Sequence, residues 1–440
     1  MLIAFLGLMA LQAGSVPPPQ PESIATISLA EAIRRAYDVS PTAVAAHGQL
    51  GTFTWARRAA IGALITPSLS VGGNFNSLSP PIINFNVLPP GGAFTTLSPT
   101  SHTTDANIQL SYTLFGGGQT LSRLSAARAA ESAARANDDA VLSSTRVDVE
   151  TAYYAVIADQ ELLRVAEDQV RNLTEQLAIS RARVCAGAAA QTDSLQVLLQ
   201  LTTARVSLLR QHAIVDVDRL ALGRRVGQST PVGAQPLDTL LAPQLPFTLN
   251  EAVNMALASG PAYLRARAGE RAMRAQLAVQ VGSLVPSLNL TATRFAYGDA
   301  LLPNQLYRNQ FSVGLSFPIL DQGVREAGLV SARAAVDSAR AARADLERGS
   351  AQDVTNAYEA YNTARATVDM QQVSVRVARE NLRVSTLRYR TGAENILNLL
   401  TAQVSLTQAE SDLVAARKNT RLALANLQSL MGRILISEER

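Results

Sequence analysis

The residues of this chain that could carry out chemistry are few, and their spacing fits neither a catalytic site nor a metal site. The three histidines, His47, His102 and His212, lack the short separations typical of metal ligands. The glycine-rich stretch 116–120 lacks the lysine of a phosphate-binding loop. Cys185 is the only cysteine, which excludes an intramolecular disulfide, and we expect it to pack at a helix end. The sequence therefore predicts no enzyme activity, no metal and no cofactor.

The composition indicates long helices and no nucleic-acid partner. The 440 residues include 39 basic and 35 acidic side chains, and the two signs are interspersed, so the net charge is only +4. A nucleic-acid-binding surface needs a clustered basic patch, which the sequence does not contain. Aromatic residues make up 5% of the chain and alanine is abundant, a composition typical of long helices.

The first 15 residues are expected to be a signal peptide. A short apolar run, from Met1 to Ala13, is followed by small residues and a proline-rich stretch. The run is too short to span a bilayer, and no Lys or Arg precedes it. A buried N-terminal helix is the alternative. No later segment contains 18 consecutive apolar residues, so we expect no membrane-spanning helix.

The remainder of the chain contains one pattern twice. Residues 28–32 (SLAEA) recur as 248–252 (TLNEA), 220 positions later. From residue 110 onward the offset is 205, and it still holds where RVCAG at 183–187 recurs as RYRTG at 388–392. Each copy has the order helix, strand, strand, long helix, returning helix. A repeat of this length predicts two similar halves that build one object.

The predicted limits of the two repeats follow from these patterns. In the first repeat, residues 24–223, the elements are strands near 67–76 and 106–115, a long helix near 119–186 and a return helix near 193–222. Residues 224–246 form a proline-rich linker. In the second repeat, residues 247–432, the elements are strands near 286–296 and 310–320, a long helix near 324–390 and a return helix near 395–431. Residues 433–440 are a C-terminal tail, and the stretches 76–104 and 297–309 are expected to be loops.

Each predicted strand has one apolar face and one face of small, uncharged residues. Phe311, Val313 and Leu315 alternate with Ser312 and Gly314, for example. A soluble sheet normally carries charged residues on its wet face, whereas a membrane barrel directs apolar residues to lipid and small polar residues to its lumen. The pattern favours lipid-facing strands, and a small soluble sheet covered by helices is the alternative. Four strands cannot close a barrel, so we expect the chain to oligomerise.

The long helices carry apolar residues at every seventh position. In the first these are Leu142, Val149, Val156, Leu163, Val170, Leu177 and Val184, and in the second Val354, Tyr361, Val368, Val375, Leu382 and Tyr389. A sustained seven-residue period predicts a left-handed supercoil with neighbouring helices. The helices are therefore expected to pack side by side in a bundle or tube.

These features together resemble the TolC family of outer-membrane channel proteins. The resemblance covers residues 28–432 and rests on the doubled element order, the strand-to-helix joint LS[YF] at 110 and 315, the two R-[VY]-x-x-G turns, and the closing Leu-Met-Gly at 430–432. It implies a mostly α-helical, internally duplicated protein with a membrane β-barrel portion. Three copies would form a homotrimer whose twelve-stranded β-barrel is continuous with a long α-helical periplasmic barrel.

The resemblance also implies a function and a set of partners. Such a protein is the outer-membrane exit duct of a tripartite efflux pump and extends into the periplasm of a Gram-negative type envelope. It passes small molecules passively, contacts outer-membrane lipid, and works with a periplasmic adaptor and an inner-membrane transporter of the RND or ABC type. The alternatives are the duct of a type I protein secretion system and, in a different class, a soluble periplasmic helical structural or adaptor protein.

A periplasmic gate at the two helical tips is the last implication of the resemblance. Thr192 and Asp193, which follow Gly187, match the Thr-Asp of the family's first tip. Tyr389, which precedes Gly392, matches its gate tyrosine. The alternative is that Thr192-Asp193 simply caps the return helix and that Tyr389 is only the last heptad position.

The chain departs from the family pattern at three tip positions. Glu394 stands where the pattern has an arginine that bonds to the tip aspartate, and Asn398 and Thr401 stand where it has two aspartate rings. The aperture is therefore expected to be less anionic. We expect Asp193 to pair instead with one of the tip arginines, which are Arg183, Arg388 and Arg390.

Overall fold

The computed structural model describes residues 25–82, 100–236, 244–298 and 306–433. The predicted signal peptide and residues 434–440 of the tail lie outside the described residues. Helices make up most of the described chain: α1 (Leu29–Val39), α2 (Pro41–Ile65), α3 (Gln119–Cys185), α4 (Gln191–Arg225), α5 (Leu249–Ser259), α6 (Pro261–Gly282), α7 (Val324–Thr391) and α8 (Ile396–Met431). The strands are β1 (Thr26–Ile27), β2 (Ser68–Ile82), β3 (Thr100–Gly116), β4 (Gly233–Ala234), β5 (Ser287–Gly298) and β6 (Leu306–Ser316).

The chain divides into two compact units. We call the unit formed by the described residues 25–36, 149–236 and 370–418 the tip unit, because it contains both turns that follow the long helices. The described residues 37–82, 100–148, 244–298, 306–369 and 419–433 form the sheet unit, which contains the larger β-sheet. The helices α3, α7 and α8 each contribute residues to both units.

The sheet unit contains a four-stranded antiparallel sheet with the order β2-β3-β5-β6. Two hairpins, β2-β3 and β5-β6, are joined through the pairing of β3 with β5, in which Ile108 lies opposite Arg294. In the described part of the chain β2 and β6 each pair on one side only, so the sheet has two open edges.

The two faces of this sheet differ as the alternation predicts. Leu69, Val71, Phe311, Val313 and Leu315 are each more than 60% exposed, although all are apolar. We call the face that carries them the outward face. The opposite face has small polar contacts: the Thr291 and Ser312 hydroxyl oxygens are 2.5 Å apart, and the Asn74 amide donates to an Asp105 carboxylate oxygen at 3.0 Å.

The strand ends differ from the predicted limits. The strands β2, β3, β5 and β6 extend into the two stretches that were predicted to be loops, and that prediction was wrong for residues 77–82, 100–104, 297–298 and 306–309. Backbone pairing continues past the point at which the side chains stop alternating, because the ladder needs only N–H and C=O groups. The predicted end of the last strand at residue 320 was also wrong. It ends at Ser316, and Pro318 has no N–H with which to continue a ladder.

The heptad positions of the long helices form buried faces. Val354, Tyr361, Val368, Val375 and Tyr389 of α7 are all buried. In α3, Val149, Val156 and Leu177 are buried and the remaining heptad residues are half-buried. The seven-residue period therefore marks the sides of α3 and α7 that pack against other residues.

The closing Leu-Met-Gly of α8 packs against α5 in the sheet unit. Leu427 and Met431 are fully buried with Ala252 and Ala256. The Ser259 hydroxyl donates to the Met431 carbonyl at 2.7 Å. Gly432 has a φ of +67°, and a Cβ there would lie 2.2 Å from the Ser259 carbonyl oxygen. Only glycine can therefore end α8 so close to the end of α5.

A buried carboxylate, Glu270 of α6, links α6 to α7. Its side chain is 6% exposed and accepts from Arg343 at 2.6 Å and from Arg274 at 2.5 Å, and Arg340 lies at 3.8 Å. Burial raises the pKa of Glu270, but the guanidiniums of Arg343 and Arg274 lower it more, so the pKa lies below its ordinary value. The ion pair therefore stabilises the fold at neutral pH, and its contribution is lost as the pH falls below about 4.5.

We expect Glu270→Gln to lower the free energy of unfolding by about 2 kcal/mol at pH 7, because it removes charge-assisted hydrogen bonds to two arginines. Urea unfolding in detergent, followed by circular dichroism, measures the change. The matched control is Glu347→Gln, since Glu347 bonds to the same Arg343 at 2.8 Å but is 46% exposed. We expect the control to change stability by less than about 0.5 kcal/mol. Equal effects of the two substitutions would contradict the prediction.

Candidate functional site: the helical tips

Both long helices end in the same type of turn in the tip unit. After α3, the Ala188 amide donates to the Arg183 carbonyl at 2.8 Å and the Gly187 amide to the Val184 carbonyl at 3.0 Å. After α7, the Ala393 amide donates to the Arg388 carbonyl at 2.8 Å. Gly187 and Gly392 have φ values of +70° and +81°, the left-handed conformation that this helix-ending motif requires.

Arg183 connects the two turns. Its guanidinium carbon lies 4.5 Å from the ring centroid of Tyr389, which is a cation–π distance. The same guanidinium donates to the main-chain carbonyl of Tyr389 and, at 3.1 Å, to that of Ala188. One side chain from the end of α3 therefore bonds both to its own turn and to the end of α7.

Tyr389 is the buried centre of this cluster. It is 1% exposed and packs with apolar residues of all four tip helices, among them Leu177, Val197 and Leu399. Its hydroxyl donates to an Asp193 carboxylate oxygen at 3.3 Å. Burial first, and then the nearby negative charge of Asp193, raise the pKa of the Tyr389 hydroxyl above its ordinary value, so it remains a donor at physiological pH.

Asp193 does not have the arginine partner that we expected. In the described residues it forms no ion pair with Arg183, Arg388 or Arg390 and accepts the tyrosine hydroxyl instead. The guanidinium of Arg183 is engaged by the Tyr389 ring and by two carbonyls, which explains the difference. The alternative that Thr192-Asp193 caps the helix is also wrong, because α4 begins at Gln191 and its N-cap is Ala190.

The remaining predicted tip residues lie outside this cluster. Thr192, Arg388, Arg390, Asn398 and Thr401 are exposed. The Thr401 hydroxyl donates to its own helix, to the Leu397 carbonyl at 2.9 Å. Glu394 is half-buried, and its Oε2 atom has no hydrogen-bond partner among the described residues. Cys185 is exposed, so the expectation that it packs at the helix end was wrong.

Sequence reasoning missed a buried amide pair. The Gln176 amide of α3 donates to the Gln403 side-chain oxygen of α8 at 3.2 Å, and both side chains are at most 4% exposed. Buried amides between packed helices fix their register, because a shift leaves a polar group unpaired. The sequence signal for burial of Gln176 was its position next to the heptad residue Leu177.

A carboxylate pair is the second feature that the sequence analysis missed. Asp218 of α4 lies beside Asp159 of α3, which accepts from the Gln211 amide at 3.1 Å. Burial first, and then the hydrogen bond with Asp159 and its negative charge, raise the pKa of Asp218 from its ordinary 3.8 to about 6, although the charge of Lys418 of α8 lowers it. Asp218 is therefore largely protonated in mildly acidic solution and donates to Asp159.

We expect Asp218→Asn to raise the free energy of unfolding at pH 7 by about 1 kcal/mol, after allowance for solvent screening. The folded state favours protonated Asp218, so the stability that this residue contributes is complete below pH 3.8 and is lost as the pH rises through about 6. An asparagine does not titrate, so the variant keeps its stability over this pH range. Urea unfolding at several pH values between 4 and 7 measures the difference from the unchanged chain. Asp216→Asn is the control, since Asp216 is 70% exposed and bonds only at the surface to Arg219. A variant less stable than the unchanged chain at pH 7 would refute the raised pKa of Asp218.

The described residues contain neither a metal cluster nor a helical span. No three His, Cys, Asp or Glu side chains within them lie close enough together to hold an ion. No helix within them combines the length and the apolar composition needed to cross a bilayer.

Comparison with known protein families decides the identity. The model of the outer membrane efflux protein family matches residues 55–228 and 252–433. The chain belongs to this family. Outer membrane efflux protein BepC of Brucella suis is 26% identical to it over 318 residues, which are 70% of this chain and 69% of BepC. Cobalt-zinc-cadmium resistance protein CzcC of Cupriavidus metallidurans is 23% identical over 382 residues, 83% of this chain and 88% of CzcC.

Solved structures have the same fold. A membrane protein from Pseudomonas aeruginosa superimposes with a TM-score of 0.77 at 21% identity, covering 93% of this chain and 91% of that one. The predicted family is therefore confirmed, and so are an outer-membrane location and an efflux function without enzyme activity. The alternative of a soluble periplasmic protein is wrong, because members of the outer membrane efflux protein family are outer-membrane proteins.

Proposed function

We propose that three copies of this chain assemble into a homotrimer whose sheets close a twelve-stranded barrel. The observation that carries the proposal is the open sheet: its outward face is apolar and exposed, and β2 and β6 each have one unpaired edge among the described strands. An unpaired strand edge in lipid costs several kcal/mol for each backbone group. Pairing β6 of one copy with β2 of the next removes both edges.

The two halves of the chain are, we propose, copies of one ancestral unit. Matching residues make matching contacts in support of this. The Tyr153 hydroxyl donates to the Ile27 carbonyl at 3.2 Å, and the Tyr358 hydroxyl donates to the Phe247 carbonyl at 3.3 Å. Tyr358 lies 205 residues after Tyr153, and 205 residues also separate the two turns that follow the long helices. Phe247 lies 220 residues after Ile27, and 220 residues also separate the SLAEA and TLNEA segments.

The trimer acts, in this proposal, as the passive exit duct of a tripartite efflux pump. A periplasmic adaptor and an inner-membrane transporter of the RND or ABC type supply the connection and the energy. The lumen is lined by the small polar face of the sheet, on which Ser70, Asn74, Thr291 and Ser312 lie. Such a lining lets small molecules pass without a specific binding site.

The contacts of Arg183, Tyr389 and Asp193 hold the periplasmic end closed in this proposal. They join the ends of α3 and α7 to the start of α4 through a buried tyrosine. Opening the duct then requires these contacts to break or to move together.

Fractionation, electrophoresis and conductance measurements test the proposal. We expect the protein in the outer-membrane fraction, as a trimer on unheated gels that dissociates on heating, and as a channel in planar bilayers. A host that lacks its own efflux ducts should regain export of a fluorescent dye when this chain is expressed with a matching adaptor and transporter. A monomer without conductance would refute the trimeric duct.

A further inference from the structure

The outward face of the sheet carries an arginine among apolar residues. Arg294 of β5 lies between Ile108 of β3 and Asn309 of β6 in the sheet register, and Ile108 is on the outward face. The guanidinium carbon of Arg294 lies 5.2 Å from the ring centroid of Tyr307, which is also on this face. The other arginine of the described strands, Arg308, is one position away from Asn309 and so faces the opposite side.

Arg294 and Asn309 are the first polar residues on the outward sides of β5 and β6, counted from the strand ends nearest α6 and α7. On β5, Leu288, Leu290 and Ala292 precede Arg294, counted from the end that follows α6. On β6, the outward residues Leu315, Val313 and Phe311 are apolar, and Asn309 comes next. At about 3.3 Å per residue and a tilt of about 40°, the stretch from Leu315 to Asn309 rises about 15 Å, which places Asn309 and Arg294 in the part of the roughly 25 Å lipid-facing band that is more distant from α6 and α7.

The guanidinium of Arg294 has no anion beside it in the described residues. The nearest strand carboxylate by register, Asp105, belongs to the opposite face, where Asn74 donates to it. The Asn309 side-chain amide likewise has no hydrogen-bond partner among the described residues. A cation on the lipid-facing side of a barrel is unfavourable unless it lies near the interface, where an anionic group of the lipid can pair with it.

We propose that Arg294, with Asn309 and Tyr307, binds the phosphate of an outer-leaflet lipid headgroup. The proposal rests on the membrane-spanning trimer proposed above, in which the end of β5 distant from α6 reaches the outer leaflet. A guanidinium binds a phosphate through two parallel N–H donors, and the Asn309 amide adds a third donor beside it. The Tyr307 ring covers the guanidinium and, as an interfacial aromatic, lies at headgroup depth.

Native mass spectrometry of the detergent-solubilised trimer tests this site. The probes are diphosphorylated lipid A as the outer-leaflet lipid, phosphatidylglycerol as a phospholipid, and inorganic phosphate as a free ion. The variants are Arg294→Gln and the matched control Arg308→Gln, an arginine of the neighbouring strand on the lumen side. We expect Arg294→Gln to weaken lipid A binding about tenfold, as the loss of charge-assisted hydrogen bonds predicts, and Arg308→Gln to leave it unchanged.

Three results would overturn the inference: equal lipid A binding by Arg294→Gln and the unchanged chain, equal weakening by both variants, or displacement of lipid A by millimolar inorganic phosphate. Binding of phosphatidylglycerol alone, dependent on Arg294, would overturn the assignment to the outer leaflet. Trimer formation and conductance are measured first on each protein. A failure to form trimers refutes the proposed function, whereas intact trimers without Arg294-dependent lipid A binding refute only this site.

Discussion

Replacing Arg183 with alanine is expected to open the periplasmic tip and to raise the single-channel conductance of the trimer. The substitution removes a cation–π contact with Tyr389 and two hydrogen bonds, to the Tyr389 and Ala188 carbonyls. Hydrogen bonds from a charged donor contribute about 1.5–3 kcal/mol each. If one such contribution is lost from the closed state, the open population rises about tenfold.

The structure offers a matched control for this experiment. Arg388 occupies the same position of the second turn, 205 residues later, and its main-chain carbonyl accepts the equivalent hydrogen bond from the Ala393 amide. Its side chain is exposed and makes no ion pair in the described residues. We therefore expect Arg388→Ala to leave the conductance unchanged, although it removes the same charge from the tip. Planar-bilayer recordings at one salt concentration compare the two variants directly.

Two outcomes would contradict this account of the tip. If Arg183→Ala and Arg388→Ala raise the conductance equally, net tip charge controls opening and the buried contacts do not. If neither changes it while Glu394→Ala opens the channel, closure depends on the residue that departs from the family pattern. Heat dissociation of the trimer on unheated gels shows whether each variant is still assembled.

The long-range organisation of the chain could be predicted because it depends on simple periodicities. The seven-residue repeat identified residues such as Val354 and Tyr361, which are fully buried. Glycines after helical patterns identified both turns, because the left-handed conformation at Gly187 and Gly392 excludes most other residues. Alternation identified the two sheet faces, since neighbouring residues of a strand point to opposite sides.

The partner of Asp193 could not be predicted, because it depends on competition between contacts. The arginines of the two nearby tip turns suggested an arginine partner. Yet Arg183 lies against a buried aromatic ring and donates to two main-chain carbonyls instead. The buried tyrosine is then left with a hydroxyl that needs an acceptor, and Asp193 supplies it. Only the packing of four helices decides which donor and acceptor meet.

The second large effect is expected from Tyr153→Ala, which should lower the free energy of unfolding by about 3–5 kcal/mol. Tyr153 of α3 is fully buried, and its hydroxyl lies 3.2 Å from the Ile27 carbonyl and 3.1 Å from the Gln235 carbonyl. These carbonyls belong to or adjoin β1 and β4, which form a parallel two-stranded sheet in the tip unit. The truncation removes a large core side chain together with the donor that anchors this small sheet.

A graded series separates the two parts of this effect. Tyr153→Phe keeps the ring and removes only the hydroxyl, so we expect a loss of about 1–3 kcal/mol from buried carbonyls that lose their donor. Urea unfolding in detergent, followed by circular dichroism, measures both variants. A loss below about 1 kcal/mol for Tyr153→Ala would show that the core relaxes to fill the space. Equal losses for both variants would mean that the hydroxyl alone supplies the stabilisation, because the ring's burial would then contribute nothing measurable.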